Sequence, residues 1–447
     1  MFSRRLRILS GSRFLMLLFT LALVAASLNI HPAHAAKTVV TYWTWNAANF
    51  DTTPDGKFQP QKAAFDAANP DIDLQVKVYS YTDYLSQLQL NMASGLGPDI
   101  VAMQAGALLN TYKEFFVDLG PLAQKTWGDK WADRFLPLGL DQTRTKDVVA
   151  GLPLMNSAAG FLWYNKTLFD KYGLKPPTNW DEWIKDSKAL TDKGVIGFYQ
   201  GAGDSWINFD MYIALANEIA PGKIYQAEAG TIPWTDPDLV KAMDYWKQMF
   251  SNGIMQKGAL AAKQYPDAHQ AFTTGKAGMM LMGVWNNYAA LTKAGVADYH
   301  KQYGFTDAFD YGTIPFPDIN GDGKPGKPFG GPDVVVTLNK SSKVQDAAWK
   351  VITWMMGDES QKLQAASLNV PAIKGIPFDD KDATSDFSKQ VLKDQITQLG
   401  DSFGKREFLY PEIKSALGDA LQYVATGDQT PADALAAVQK ASEKIKR

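Results

Sequence analysis

The chain has 447 residues, 45 Lys and Arg against 47 Asp and Glu, a formal net charge of −2, and no Cys. That composition argues against a nucleic-acid partner, which would need a basic stripe, and excludes both disulfides and a lipidated Cys. The length favours two domains over one, at roughly 100–200 residues each.

Residues 1–35 carry Arg4, Arg5, Arg7 and Arg13, an apolar run from Phe14 to Ala26, and Ala33-His34-Ala35 before Ala36, the layout of a cleavable secretory signal. The apolar run is too short to span a bilayer comfortably. Ser3-Arg4-Arg5 has only part of a twin-Arg export signal. Removal of this segment takes four Arg and no acid, so the net charge falls from −2 to −6 over the remaining 412 residues. A periplasmic protein free of a lipid anchor is expected. No later stretch is apolar enough to be transmembrane, and no repeat or low-complexity tract is present.

The run Val39-Val40-Thr41-Tyr42-Trp43-Thr44-Trp45, ending at Asn46, reads as a buried parallel strand leading into a functional loop. After a Gly/Pro loop, Ala63, Ala64, Phe65 and Ala68 form a helix, and Ile72, Leu74, Val76 and Val78 alternate as a second strand. Tyr84, Leu85, Leu88 and Met92 form the inner face of another helix before Gly95, and Asp99 to Met103 is a third strand. Strands alternating with helices predict a parallel, doubly wound lobe.

A crossing into a second lobe is expected near Asp147 to Ala150. The next clear unit is a strand at Gly160–Tyr164, a helix stopped by Gly173, a Pro176-Pro177 break, and a helix opened by Thr178. Trp180, Trp183, Ile184 and Leu190 share one face of that helix, with Asp181 and Glu182 in its first turn, where the helix dipole favours acids. Further on, Leu239, Met243, Trp246 and Phe250 follow Thr235-Asp236-Pro237 as a buried face. A helix from Asp267 to Thr274 and a strand from Gly278 to Met282 lead to Gly283-Val284-Trp285. Gly330-Gly331-Pro332 precedes a Val-rich strand, Ser341 and Ser342 are expected to cap a helix, and the last helices run from Pro411 to Tyr423 and from Thr430-Pro431 onward.

The mature chain offers only His269 and His300 as histidines, no Gly-x-Ser-x-Gly elbow and no phosphate loop, and Gly201-Ala202-Gly203 lacks the third glycine of a dinucleotide site. Paired carboxylates far apart in sequence stay open. The positive signal is aromatic: of 13 Trp, four (Trp45, Trp206, Trp234, Trp285) fall at strand ends or loops, whereas Trp163, Trp180, Trp183, Trp246 and Trp354 sit where cores are expected. A flat ring covers the C–H face of a pyranose, while Asp, Asn, Gln and Arg bond its hydroxyl rim. In Rossmann-like sheets ligands meet the carboxyl ends of strands, which is where Trp45-Asn46, Met103-Gln104 and Val284-Trp285 lie.

Tyr164-Asn165-Lys166, Leu168-Phe169, Gly173-Leu174 and Pro177-Thr178-x-Trp180-x-Glu182 resemble a segment of the sugar-binding extracellular solute-binding proteins of ABC importers, which include the maltose-binding proteins. Ala93-Ser94-Gly95 with Pro98-Asp99-Ile100, Ala271-Phe272-x-x-Gly275-Lys276-x-Gly278-Met279-Met280, Gly283-x-Trp285, Gly330-Gly331 and Ala434-Leu435 extend the likeness in order over nearly the whole mature chain. The resemblance implies an α/β, two-lobed periplasmic-binding-protein fold (type II, Venus flytrap), each lobe a sheet flanked by helices, with a hinge between. The corresponding division is signal peptide 1–35, first lobe 36–150 and 328–374, second lobe 151–327 and 375–447. It also implies a non-enzymatic receptor, a monomer needing no cofactor, that binds a disaccharide, short oligosaccharide or glycoside between its lobes and delivers it to an ABC permease at the inner membrane.

Positions matching the family's ligand contacts are Trp45, Asn46, Tyr81, Asp83, Gln104, Asn156, Asp204, Trp206, Trp285, Gly330, Gly331 and Arg406. The family commonly has an acid just past the crossover, where Asn156-Ser157 stands here. By residue type alone Asp83 and Asp204 are equally helix caps, and Arg406 equally a surface ion pair. Two competing readings remain: the same fold binding a phosphorylated or sulfonated glyceryl compound, and a periplasmic glycosidase. Independently, Asp318, Asn320, Asp322 and Lys324 occupy positions one, three, five and seven of a candidate structural calcium loop, with Gly323 at six. Position twelve is Phe329, so the bidentate carboxylate must come from elsewhere in the fold; the alternative is an Asn/Asp/Gly turn.

Overall fold

The computed structural model describes residues 36–45, 60–145, 148–366, 368–377 and 379–447. The expected signal segment and Asn46 lie outside the described residues. Among those described, no helix is long and apolar enough to cross a membrane.

Two sheets organise the chain. In the first, β1 (Thr38–Thr44) pairs in parallel with β2 (Ile72–Val78) and β3 (Ile100–Met103), with Tyr42 opposite both Val76 and Ile100. A small hairpin, β4 (Arg144–Thr145) and β5 (Val148–Val149), leads to β6 (Leu152–Ala159) and across to β7 (Phe161–Asn165). The second sheet combines β7 with β8 (Ile196–Phe198), β9 (Ala277–Met282) and β10 (Tyr311–Pro315), in the order β10-β7-β9-β8. The chain then returns as β11 (Phe329–Leu338), which slots between β3 and β6, and β12 (Val370–Pro371) closes the edge.

The first sheet is therefore mixed rather than wholly parallel. β11 comes back from the second sheet and runs against both neighbours, with Val336 opposite Ala102 on one side and Leu152 on the other. The crossing between sheets also falls later than the expected Asp147 to Ala150. β6 pairs with β11 and β12 in the first sheet, and the passage to β7 is Gly160 alone. Gly160 has φ +89°, and a Cβ there would come within 2.9 Å of the Phe329 ring, so the junction requires glycine on both counts.

Both sheets are covered by helices. Val40, Tyr42, Leu74, Val101 and Val336 pack in the first lobe with Phe65, Leu88 and Val351 from its helices. In the second lobe Trp183 lies edge-on to Phe198 and Phe316, and Trp180 edge-on to Tyr245. That helix, Trp180–Thr191, is capped by Asn179 rather than Thr178: Asn179 Oδ1 accepts from the Glu182 N–H, while Glu182 reaches back to the Thr178 N–H and hydroxyl. The displacement of one residue leaves the capping chemistry intact. Likewise Ser342 precedes the Gln345–Met355 helix without capping it; its hydroxyl donates to Asp99.

The element with most bearing on the site is the helix Ser205–Ile219. Every residue from Ile207 to Glu218 is buried, as expected of a helix surrounded by structure rather than lying on a surface. Four of those residues are nevertheless polar or charged: Asn208, Asp210, Asn217 and Glu218. Asn208 bonds Gln200 and the Ala202 carbonyl, and Asn217 donates to the Tyr225 hydroxyl.

Candidate functional site

The space between the two sheets is organised around Arg406. It lies on the connection between the helices Asp386–Gly400 and Pro411–Thr426, and the N–H of Gly330 on β11 donates to the Gly404 carbonyl of that connection. The guanidinium is buried. Its Nε and Nη2 donate to the Asp210 carboxylate at 2.9–3.2 Å, and its Nη1 donates to Asp333 at 2.9 Å. Asp210 belongs to the Ser205–Ile219 helix of the second lobe and Asp333 to β11 of the first sheet, so one side chain fastens to both. Burial pushes both carboxyls upward and Arg406 offsets only part of the rise, leaving Asp210 at about 6 and Asp333 above its ordinary value. Burial would lower Arg406, but the two acids more than offset it and raise the guanidinium further above its ordinary range.

Aromatic rings form one wall. The Arg406 guanidinium lies 4.2 Å from the Trp285 ring centroid and 5.7 Å from that of Trp206, within cation–π range. Trp285 meets Trp206 edge-on at 6.2 Å, and Trp206 is nearly parallel to Tyr265 at 6.3 Å. Trp285 follows β9 in a short turn, and its ring folds back over Gly283, where a Cβ would come within 2.0 Å of it. Trp206 sits in the first turn of a helix rather than in the expected loop.

The opposite wall comes from the first lobe. Trp45, just past β1, meets Tyr81 and Tyr84 at 5.5 and 5.1 Å. The Tyr81 hydroxyl donates to Gln104 Oε1 at 2.5 Å; burial and the nearby Glu407 hold that hydroxyl protonated by pushing its pKa up. Between the walls is a narrow gap lined by Gln104, Gln142, Ser157, Gly331, Asp333 and Arg406, among others. Its free volume is about 10 Å³, far below the roughly 300–1,000 Å³ of ligand clefts.

Of the expected residues Gln104, Gly331 and Arg406 line the gap; Trp206 and Trp285 adjoin it through Arg406, Tyr81 through Gln104 and Trp45 through Tyr81, and the Gly330 carbonyl accepts from the lining Gln142 Nε2 at 2.9 Å. Three expected residues stand elsewhere. Asp83 is exposed and exchanges hydrogen bonds with Ser80, the cap of its own helix. Asp204 holds the Gln264 N–H and pairs with Lys263, at the N-cap position of its helix but without a capping bond. Asn156 is buried within the first sheet and donates to the Pro371 carbonyl. Its neighbour Ser157, one residue on and so on the other face of β6, is the one that lines the gap. The Arg406 pairing is buried, not a surface ion pair, and Trp234 is a fully buried core residue.

Asp210, Asp333, Gln142 and Ser157 were not among the expected residues. Asp210 and Asp333 each carried a weak signal, Asp210 as the one acid of Ile207 to Leu215, where Asn208 is also polar, and Asp333 as an acid directly before the apolar run Val334 to Val336. Gln142 and Ser157 carried none.

Behind the aromatic wall, His269 is buried against Tyr265 and Tyr299, and its Nδ1 lies 3.0 Å from the Tyr303 hydroxyl. Burial pushes the imidazole down from 6.5 to about 4. A base whose folded pKa lies below its unfolded one contributes stability that is full above about 6.5 and is lost as pH falls toward 4, because only the unfolded chain takes the proton. Between pH 7.5 and 5 the expected loss through His269 is about 2 kcal/mol. Denaturant unfolding at both pH values should show a pH response smaller by that amount in His269→Gln than in wild type; equal responses would refute the assignment.

Residues 50–362 match the family described as bacterial extracellular solute-binding protein. Relatives include the galactooligosaccharide-binding protein of Bacillus subtilis (strain 168), 23% identical over 393 residues and covering 86% of each chain. The multiple sugar-binding protein of Streptococcus mutans is 24% identical over 341 residues, covering 74% of this chain and 75% of its own. Among solved structures, a chitin oligosaccharide binding protein superposes with a TM-score of 0.72 at 21% identity, covering 91% of this chain and 98% of the other; that likeness establishes the two-lobed fold.

Proposed function

Since the chain belongs to the bacterial extracellular solute-binding proteins, we propose that it is the periplasmic receptor of a sugar ABC importer, secreted through residues 1–35, binding a neutral disaccharide, short oligosaccharide or glycoside between its lobes. The observation that carries this reading is the pairing of walls. Trp206 and Trp285 pack on Arg406 in one lobe, and Trp45 and Tyr81 stand behind Gln104 in the other, with Arg406 and Gln104 both lining the gap. Flat rings suit the C–H faces of a pyranose, and Gln104, Gln142 and Ser157 suit its hydroxyl rim. The names of the relatives, a galactooligosaccharide-binding and a multiple sugar-binding protein, point to the same ligand class.

Arg406 weighs against an anionic ligand. Its charge is already shared between Asp210 and Asp333, so a phosphorylated or sulfonated compound would meet a compensated cation. The same pairing weighs against a glycosidase, since neither carboxylate is free to serve as acid or nucleophile.

The gap is narrower than a disaccharide requires, so binding involves a shift to a wider arrangement followed by closure. Motion at Gly160 and at the two other passages between the sheets would supply it, and a ligand touching both walls only when closed would favour the closed state by its differential affinity. The closed, liganded monomer is what the permease would recognise. Calorimetry of the mature protein against neutral mono-, di- and trisaccharides should find one that binds and is recovered unchanged. Heat from anionic glyceryl esters alone, or turnover of the bound sugar, would refute the proposal.

A further inference from the structure

At the far end of the Ser205–Ile219 helix is a second cluster, separate from the gap. Glu218 lies eight residues beyond Asp210, about 12 Å along the helix axis. It is 6% exposed, and its Oε1 has no hydrogen-bond partner. A carboxylate oxygen of Glu218 and one each from Asp318 and Asp322 lie within 4.8 Å of one another. Burial, and after it the Asp318 carboxylate, push Glu218 up to about 7. Three acids held together, one of them buried with an unsatisfied oxygen, form an arrangement that a cation would relieve.

The loop supplies further oxygens. Asp318 Oδ1 accepts from the N–H groups of Asn320 and Gly321, and its Oδ2 from Gly323. Asn320 Oδ1 accepts from the Asp322 N–H, and Asp322 Oδ1 from the Lys324 N–H. These bonds curl the loop, and Asn320 Nδ2 fastens it to the helix by donating to the Glu218 carbonyl at 2.6 Å. The loop is pinned on its other side as well: the Trp180 N–H donates to the Asp318 carbonyl, and the Tyr245 hydroxyl to that of Ile319.

We propose that Glu218, Asp318 and Asp322, with the Asn320 side-chain oxygen and the Lys324 carbonyl, form a calcium site in which Glu218 provides the carboxylate that position twelve of the loop lacks. The donors are all oxygen, as a hard cation requires, and Ca²⁺ takes six to eight of them at about 2.3–2.6 Å. Two oxygens on one such ion are at most about 5 Å apart, which the 4.8 Å spread of the carboxylates satisfies. Mg²⁺, which demands near-ideal octahedral geometry and gives up its waters reluctantly, suits such an all-protein oxygen set less well. A bound ion would fasten the passage from β10 to β11 onto the helix that carries Trp206 and Asp210. The site does not depend on which ligand fills the gap.

The test uses the mature protein freed of metal with a chelator and titrated with CaCl2 alone by calorimetry, with thermal unfolding in parallel. One calcium ion should bind with a dissociation constant of about 1 mM or lower, and about 10 mM CaCl2 should raise Tm by roughly 1.5 °C or more where MgCl2 raises it less. Glu218→Gln, which keeps the size of the side chain, should weaken calcium binding about tenfold or more. Because Asp322 is exposed, Asp322→Asn offers a second variant that leaves the core untouched, and it should weaken binding in the same direction. No heat and no Tm change at about 10 mM CaCl2, or unaltered calcium affinity in both variants, would overturn the proposal. Sugar titrations on the same samples report on the gap separately.

Discussion

Arg406→Met lowers the stability of the folded chain by about 3–5 kcal/mol, the expected cost of leaving buried charges without their partner. The substitution strands two carboxylates at once. Asp210 is held by three of the hydrogen bonds and Asp333 by the fourth, and both acids are largely shielded from water. Loss of the cation also removes its stacking against Trp285. The measurement is urea unfolding of the mature protein at pH 7.5. In the triple variant Arg406→Met, Asp210→Asn, Asp333→Asn no stranded charge remains, so it should regain a large part of the loss. If Arg406→Met unfolds within about 1 kcal/mol of wild type, the exposed-pair regime applies and the trio is not the buried fastening described above.

The second large effect is on ligand affinity. Trp285→Ala should weaken sugar binding about thirtyfold or more, the scale of a central aromatic anchor. Trp285 stands where the wall is closest to Arg406, and no neighbouring side chain can take its place: Trp206 is held parallel to Tyr265, and Gly283 beneath the indole has no side chain. Trp285→Phe keeps a ring and should recover most of the affinity. Trp285 is partly exposed, so folding should survive the truncation, and near-UV circular dichroism checks this. Wild-type affinity in Trp285→Ala would remove the aromatic wall from the proposed site.

Much of this could be read from residue order. The strand at β1, the strand-helix-turn-helix unit from Phe161 to Thr191, and the strands β9 and β11 all fall where the apolar runs, caps and glycines put them. Three things could not be read, for separable reasons. The crossing at Gly160 depends on which sheet β6 joins, a long-range pairing with β11 that nothing local encodes. The choice between Asn156 and Ser157 is a question of strand phase, and β6 is buried along its whole length, so alternation of polar and apolar residues supplies no phase. The third is what the acids of the buried helix do: an acid within a mostly apolar segment marks Asp210 as unusual, but a helix buried on every side has no polar face, so no period shows what Asp210 or Glu218 meets. Glu218 and Asp318 are, besides, far apart in sequence and meet only in the fold.

The Arg406 trio also decides where this protein can change its ligand preference. A residue whose replacement costs several kcal/mol in stability leaves almost no margin for mutational drift, and Asp210 and Asp333 are bound to the same fate. Gln104, Gln142 and Ser157 carry no such burden. Gln104 bonds only the Tyr81 hydroxyl among the partners described, Gln142 bonds the Gly330 carbonyl among others, and the Ser157 hydroxyl is buried without a partner. Selection for a new sugar, in nature or in a directed library, would therefore find its freedom in the uncharged rim while the charged centre stays frozen.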